Sequence, residues 1–538
     1  MHLPRLFPQS WSYQQLVGQM DWQWSESEGL RLMAPGMRAQ GDDGIASVAL
    51  QLQLPPSDQT PTMALRVSLT NAQATSSKHY IPTLSPAFNP KLAEWLNQAQ
   101  IEGSVPLAVF EYQGSLRRNA EPGERSLSLY AQLDSGSLAF QPGWPRIEQV
   151  DAILRLDNQQ VHIENASARF WETALTNVRV DTQREQPADG LQLHIGSDFA
   201  GPLADALRLM QDTPLASAIG DQLGGWKGNG QVQGQFELGL ALQESRAPLV
   251  DARWSLDAES LSIPLLQASL GDIDGEFTFS SAAGLEASGL QGTFLGRRVV
   301  GEISSQGGRQ EARFSGQHSI EQLKSWPLLA QLPTDMVTGE LSWKARAALQ
   351  AGAAWLQLDS DLQGVEMDLP GALAKKANRS WQSRLTLARN DEKNNWRFNL
   401  GPDIRGVVQT GAGFLRGDLL YRNGEPILGP EPGLSIGARF EQFDLIEWRR
   451  WVESQRALSS VVGQGAVASG MRPSAAIQSI STLDLRAEEF LGLGQRLNDL
   501  AISGVRSDEG WLFDIDQTRV RGQIILPDLR SQPVAFNM

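Results

Sequence analysis

Residues 150–180 read VDAILRLDNQQVHIENASARFWETALTNVRV, and their spacing decides the fold class. Ala152, Leu154 and Leu156 occupy alternate positions, the residues DNQQ (157–160) favour a turn, and Val161 and Ile163 open a second alternation. A period of two puts successive side chains on opposite faces of a strand. The stretch predicts a β-hairpin with one apolar and one wetter face. A third strand is expected to carry Ala168 and Phe170, and a fourth Val178 and Val180.

The same outline fits three other places. Met20, Trp22 and Trp24 alternate, SESEG turns the chain, and Leu30 and Leu32 resume the pattern. Gly275, Phe277 and Phe279 lead through SSAAG into Leu285 and Ala287. Leu500 and Ile502 lead through a loop closed by Glu509 and Gly510 into Trp511, Phe513 and Ile515. Eleven residues after Leu30, Leu285 and Trp511 stands a glycine, namely Gly41, Gly296 and Gly522, where the first hairpin has Glu172. An internal repeat is the expectation, with the Glu172 carboxylate at a bend on the wet side.

Alternating stretches continue along the chain, as in SVALQLQLP (47–55) and MALRVSLT (63–70). Helical spacing is confined to four places, near residues 89–100, 202–223, 320–332 and 444–454, with Trp326-Pro327 interrupting the third. So few helices cannot cover so many half-apolar strands, which argues against α/β layering and leaves a sandwich, a barrel or a groove. Buried large apolar side chains contribute about 1.5–3 kcal/mol each, so some tens of strands hold on the order of 100 kcal/mol in their apolar faces. A facing sheet, closure of the sheet on itself, or an apolar ligand must cover them. Three segments are expected: 1–200 with the helix near 89–100, 201–335 with two helices and hairpins between them, and 336–538.

A chain of 538 residues exceeds one ordinary core unless it grows in one dimension by repeats. Its 51 glycines and 28 prolines suit many turns. The net charge of -15 argues against affinity for nucleic acid or anionic headgroups. The absence of cysteine removes disulfides, thiolate metal sites and cysteine nucleophiles. The five histidines, His2, His79, His162, His194 and His318, are dispersed, so metal binding is not expected, and His162 and His194 fall on wet strand positions. Neither a G-x-S-x-G elbow nor a phosphate loop occurs, and GNGQVQG at 228–234 reads as strand glycines. Asp272 and Asp274 read as a solvated turn before Phe277. Several of the 16 tryptophans, Trp22 and Trp24 among them, adjoin strand ends where a ring can seal an apolar face. No run reaches the roughly 18 apolar residues that cross a bilayer. An N-terminal hairpin that begins almost at once, and a strand-like carboxyl end, lead to the expectation of a piece of a longer protein.

Several motifs resemble the YhdP members of the bacterial AsmA-like superfamily. These are the stretch 150–180 with its Trp144-Pro145 lead-in, the SPAFNPKLAEWLNQAQIEG helix (85–103), FAGPLADALRLM (199–210), and Ser360-Asp361-Leu362, Gly364, Leu369-Pro370, Leu373 and Lys375, with Ala372 where the family has a second proline. Phe443-Asp444-Leu445 with Trp448, and Phe490-Leu-Gly-Leu-Gly with Gly510-Trp511, are similar to further family segments. The resemblance implies a mainly β fold, a long twisted antiparallel sheet forming an elongated groove (a β-taco, or repeating β-groove) with a few short helices. It also implies a periplasmic bridge that carries phospholipid between the inner and outer membranes, anchored in the inner membrane by a segment outside this chain.

The expected function is non-enzymatic lipid transfer without a cofactor, by a monomer whose partners are phospholipid acyl chains and the two membranes or their proteins. The expected lining is Leu154, Leu156, Val161, Ile163, Phe277, Phe279, Leu285, Trp511, Phe513 and Ile515. The alternative is a structural or assembly factor of the envelope in which the same faces pack as dry sandwiches.

Overall fold

In a computed structural model of the chain, residues 147–183 form three adjacent antiparallel strands. The structure describes residues 12–56, 59–80, 100–117, 119–121, 123–139, 142–158, 160–183, 192–214, 223–241, 249–306, 309–331, 336–350, 352–390, 393–411, 414–461, 479–492, 494–507, 510–527 and 535–537. Two compact units divide the chain: Met1–Gly220, Asn229–Asp257 and Glu276–Gly284 form one, and Asp221–Gly228, Ala258–Gly275 and Leu285–Met538 the other.

The first unit holds β1 (Gln15–Ser25), β2 (Gly29–Gly41), β3 (Gly44–Leu54), β4 (Thr62–Gln73), β5 (Gln100–Ser115), β6 (Arg125–Ala139), β7 (Ile147–Asp157), β8 (Gln160–Phe170), β9 (Thr173–Gln183), β10 (Gln192–Pro202) and most of β11 (Lys227–Ala241). Each pairs antiparallel with the next, so strand order follows sequence order. β12 (Leu249–Ile263) and β13 (Ala268–Ser280) contribute to both units.

The predicted separate third strand of the hairpin stretch does not exist. Val161, Ile163, Ala168 and Phe170 share β8, whose ladder with β9 shifts register on either side of Ala166, next to Asn165 at φ 50°. An inserted residue reverses the phase of a strand, which is why its apolar residues move from odd to even numbers. β14 (Gly284–Phe294) does the same at Gly289, φ 67°, where its pairing with β15 (Arg297–Gln306) slips between Ala287 and Leu290. Both strands then turn through two residues, Trp171 and Glu172 in one, Leu295 and Gly296 in the other, with positive φ at Trp171, Leu295 and Gly296 but not at Glu172. Glycine is needed only where φ is positive, so the first turn accepts a glutamate, which is exposed at the bend as expected. The glycine register fails at the other two hairpins: Gly41 ends β2, and Gly522 lies inside β28 (Arg521–Pro527), because those strands have 13 and 7 residues rather than 11.

In the second unit the ladder continues through β16 (Arg309–Ser319), β17 (Val337–Gln350), β18 (Ala353–Ser360), the short β19 (Val365–Met367), β20 (Ser383–Asn390), β21 (Lys393–Leu400), β22 (Ile404–Gly411) and β23 (Phe414–Tyr421). It ends with β24 (Gly433–Asp444), β25 (Ile480–Gly492), β26 (Gln495–Ser507), β27 (Gly510–Asp516), β28 and β29 (Ala535–Asn537). One departure from antiparallel order is β24, which runs parallel to both β23 and β25. Parallel neighbours need a crossover, supplied by residues 422–432 before β24 and by the helix Leu445–Val461 after it. Among the described residues β1 pairs with β2 alone and β29 with β28 alone, so neither terminal strand closes a barrel.

Three helices begin where strands end, while the single turn Ser77–Tyr80 follows a 3-10 turn. Leu203–Asp212 follows β10, Ile320–Lys324 follows β16, and Leu445–Val461 follows β24. Six strands precede a helix twice, from β5 to β10 and from β11 to β16. Ser319 starts the second helix with a capping box to Gln322, and Asp444 accepts from the Ile446 and Glu447 amides at the third. The interruption at Trp326-Pro327 is realised, with a separate turn at Leu329–Gln331. The helix expected near 89–100 lies, up to residue 99, outside the described residues, and residue 100 begins β5; of the pair near 202–223 only Leu203–Asp212 is described. Asp272 and Asp274 stand inside β13 rather than in a turn.

The Ser360–Lys375 motif folds into a loop around one buried cation. Lys375 is 1% exposed, and its Nζ donates to the carbonyls of Leu362 at 2.7 Å, Val365 at 2.8 Å and Lys376 at 3.4 Å. Desolvation holds this ammonium below the usual lysine range, with the Asp361 charge opposing. The loop also meets the helix Leu445–Val461, through Glu447 accepting from the Gly371 amide at 3.1 Å and Trp451 donating to the Asp368 carbonyl at 2.8 Å. Lys375→Met removes all three donors and is expected to cost about 1–3 kcal/mol, the price of buried carbonyls left without a partner. Hydrogen exchange should then accelerate first in residues 361–377; uniform acceleration across the second unit would contradict the local role.

Candidate functional site

No arrangement in the first unit is more regular than its apolar face. Reading directly opposed residues from β2 to β11 gives Ala39, Ala46, Leu69, Ala108, Ala131, Leu154, Ile163, Val180, Ile195 and Leu238. A second row on the same face runs Met37, Val48, Val67, Phe110, Leu129, Leu156 and Val161. Leu154, Leu156, Val161 and Ile163 thus stand together, in two facing pairs. The row one position along, on the other face, reads Arg38, Ser47, Ser68, Val109, Tyr130, Arg155, His162, Asp181, His194 and Gly239, largely polar.

The burial of these rows matters more than their composition. The fully buried apolar residues on β2 to β8 are all alanines: Ala34, Ala39, Ala46, Ala72 and Ala166. The large side chains, Leu154, Leu156, Val161 and Ile163 included, are half-buried. A second sheet packed on this face would bury them completely, as facing sheets interdigitate at interior density. Neighbours on the same sheet shield them, and among the described residues no second sheet is packed on them.

Phe277 and Phe279 belong to the same unit, alternate on β13 and are half-buried. Phe277 stacks on Trp254, with ring centroids 5.4 Å apart and planes within 5°. Trp254 in turn lies against Gly234, where a Cβ would fall 2.6 Å from its own. Leu285 falls in the second unit, half-buried at the start of β14. Trp22 and Trp24 seal nothing: they lie within β1 and are 70% and 65% exposed.

In the second unit the corresponding row, Ala287, Ile303, Ala312, Ala347, Leu356, Leu387, Trp396 and Val408, is covered over part of its length. Leu387 and Trp396 are 1% and 2% exposed, and they cluster with Trp326 and Leu328 from the segment after β16. Farther along, Trp511 and Phe513 stack at 5.3 Å, and Ile515 opposes Ile502 and packs against a cluster built on Phe440 and Phe443. Phe513 lies flat over its cross-strand partner Gly504, as Phe314 does over Gly301 and Phe398 over Gly406. Each glycine leaves room for a ring to lie along the sheet rather than stand up from it. The pairing of aromatic with glycine is a signal that alternation of apolar residues does not contain, and these three were not among the sequence candidates except for Phe513.

On the polar face several titratable groups meet at His162. His162 hydrogen-bonds Asp181 through Nδ1 and approaches Glu164 at 3.3 Å through Nε2, while Arg155 pairs with Glu164 at 2.9 Å. The hydrogen bond to Asp181 is the main reason His162 titrates above the ordinary histidine value. His194, also expected on a wet position, is on this face but half-buried, and its Nε2 has no hydrogen-bond partner among the described residues. His318 is fully buried and held in one tautomer, since Nδ1 accepts from the Trp343 indole at 3.0 Å and Nε2 donates to the Phe294 carbonyl at 2.6 Å. Among the described residues no group of His, Asp or Glu side chains is arranged to hold a metal ion, and no helix is long and apolar enough to cross a membrane.

A family model described as YhdP protein matches residues 1–538. No curated protein and no solved structure matches the chain.

Two outcomes check this geometry. Valine at Gly504 brings a Cβ within 2.5 Å of the Phe513 ring, so Gly504→Val should cost about 1–3 kcal/mol by overpacking, and less when combined with Phe513→Leu. Additive denaturation midpoints in that cycle would show that the two residues do not touch. For His162 the folded protein holds its proton more tightly than the unfolded chain, so the contribution is complete below the unfolded value near 6.5 and is lost as pH rises through the folded value. An NMR titration should place His162 above 6.5 and Asp181→Asn should lower it; an unchanged titration would refute the assignment.

Proposed function

The chain belongs to the YhdP family, and from that premise we propose that it is a non-enzymatic lipid-transfer segment of the bacterial envelope, carrying phospholipid acyl chains along its apolar face in the periplasm. The observation that carries this reading is the row of ten directly opposed apolar residues from Ala39 to Leu238, with its large members half-buried. A face of this kind favours a partner made of methylene groups, each contributing about 0.8 kcal/mol on burial. Such contacts are non-directional, and the rungs of the ladder repeat every 4.7–4.9 Å or so, so a chain can move from one to the next without breaking a specific bond. Polar and charged groups on the opposite face keep that side in water. Leu154, Leu156, Val161, Ile163, Phe277 and Phe279 in the first unit, and Leu285, Trp511, Phe513 and Ile515 in the second, are the proposed lining, and no side chain has a catalytic role.

A second reading, a structural or assembly factor with dry packing, is favoured by the second unit, where Leu387 and Trp396 are shut away from water. One experiment separates the two. Leu156→Asp and Phe277→Asp each place a charge on the half-buried face of the first unit, where solvent can still reach it. Native mass spectrometry of the purified chain should show diacyl phospholipid on the wild type and a loss of at least half of it in either variant, with the circular dichroism unchanged. Wild-type lipid content in both variants, or a wild type free of lipid, would favour the dry-packing reading.

A further inference from the structure

We propose that residues 325–330 sit in an acyl-chain site on the apolar face of the second unit and must leave it for lipid to bind there; the inference rests on the lipid-transfer reading above. After β16 and the helix Ile320–Lys324 the chain does not return directly to the sheet as a strand. It lays Trp326, 5% exposed, and Leu328, 0% exposed, into the cluster that contains Leu356, Leu387 and Trp396. The Trp326 ring meets Phe294 edge-on at 5.3 Å. Its indole donates to the Leu266 carbonyl at 2.9 Å, and the turn Pro264–Leu266 that carries this carbonyl also approaches β18. Phe294 on β14 and Leu356 on β18, four strands farther along the ladder, belong to the same cluster as Trp326, so the sheet of this unit meets the strap from two sides.

Three features distinguish this strap from an ordinary part of the core. Its backbone bonds are local, from the Trp326 amide to Leu323 at 3.1 Å and from the Leu329 and Ala330 amides to Trp326 at 2.9 Å each, so lifting it breaks no rung of the sheet. Apart from the Trp326 indole bond to the Leu266 carbonyl, what holds it down is apolar contact, the same non-directional interaction that an acyl chain would supply in its place. Beneath it, the Trp396 indole nitrogen is buried in a residue 2% exposed and has no acceptor among the described residues, a condition that the ester carbonyl of a diacyl lipid would relieve. The row under the strap is of the same kind as the row of the first unit: directly opposed apolar residues on successive strands. The strap therefore acts as a self-supplied occupant, exchanging with lipid rather than blocking it permanently.

The test uses the full chain incubated with phosphatidylcholine vesicles in which a fraction of the lipid carries a diazirine in its acyl chain, photolysed and mapped by peptide mass spectrometry. In the unmodified chain, labelling is expected on β7 and β8 and to be severalfold weaker on β18 and β20. The double variant Trp326→Ala/Leu328→Ala should raise labelling of β18 and β20 severalfold and leave that of β7 and β8 unchanged. Should the double variant lose its circular dichroism signal, Leu328→Ala alone must move labelling in the same direction. Equal labelling of both strand sets in the unmodified chain, or no rise on removing the strap side chains, overturns the inference. Absence of label on β7 and β8 themselves would instead overturn the lipid-transfer reading.

Discussion

Cross-strand register is the constraint on which everything else in this protein depends. Side chains alternate with a period of two, so a slip of one residue between any two strands would move a whole apolar set to the wet face. Ten strands keep Ala39 through Leu238 in one row, and they do so although the sequences of the strands differ in length and carry bulges. The bulges preserve the row rather than interrupt it. In β8, the extra residue at Asn165 moves the apolar positions from odd to even numbers while leaving Ala168 opposite Leu175. In β14 the same correction falls at Gly289.

The two units use this face differently. The first leaves it to the shielding of its own neighbours, with alanines as its only fully buried apolar residues from β2 to β8. The helix Leu203–Asp212 is held at the turn after β8: Asp205 accepts from the Glu172 amide at 2.9 Å and the Thr173 hydroxyl at 3.0 Å, and Arg208 lies 4.2 Å over the Trp171 ring. The second unit closes part of the face with Trp326 and Leu328, and docks the Lys375 loop against its long helix. A buried lysine bonded to carbonyls instead of a carboxylate costs desolvation and returns directional hydrogen bonds, which specify one loop conformation. The Ser360–Lys375 motif is therefore scaffolding.

Much of this was legible in advance because it is local. Alternation in residues 150–180 announced strands, the DNQQ turn was placed correctly between Asp157 and Gln160, and Trp326-Pro327 ended a helix as proline geometry requires. The bulge at Asn165 was not legible, since asparagine adopts the left-handed conformation in turns as readily as in bulges, and nothing local tells the two apart. The parallel strand β24 was missed for a related reason: a crossover and a hairpin connection differ in where the next strand docks, and that is settled by contacts between distant residues. Nor could the pairing of Phe513 with Gly504 be read, because nine residues separate the two along the chain and only register brings them together.

By itself, then, the sequence determined that the chain is mainly β, which side chains share a face within an unbulged stretch of strand, where the helices at Leu203, Ile320 and Leu445 start, and the family to which it belongs. Those properties follow from period, composition and short motifs, all of which act within a few residues. What covers each apolar face was decided only by tertiary structure. The same kind of row is half-buried at Leu154 and Ile163 and dry at Leu387 and Trp396, where the strap that carries Trp326 and Leu328 joins the second unit's cluster. Burial is a property of what packs against a side chain, and strands of equal hydrophobicity can be given a cover or denied one by a segment more than fifty residues away, as Trp326 is from Leu387.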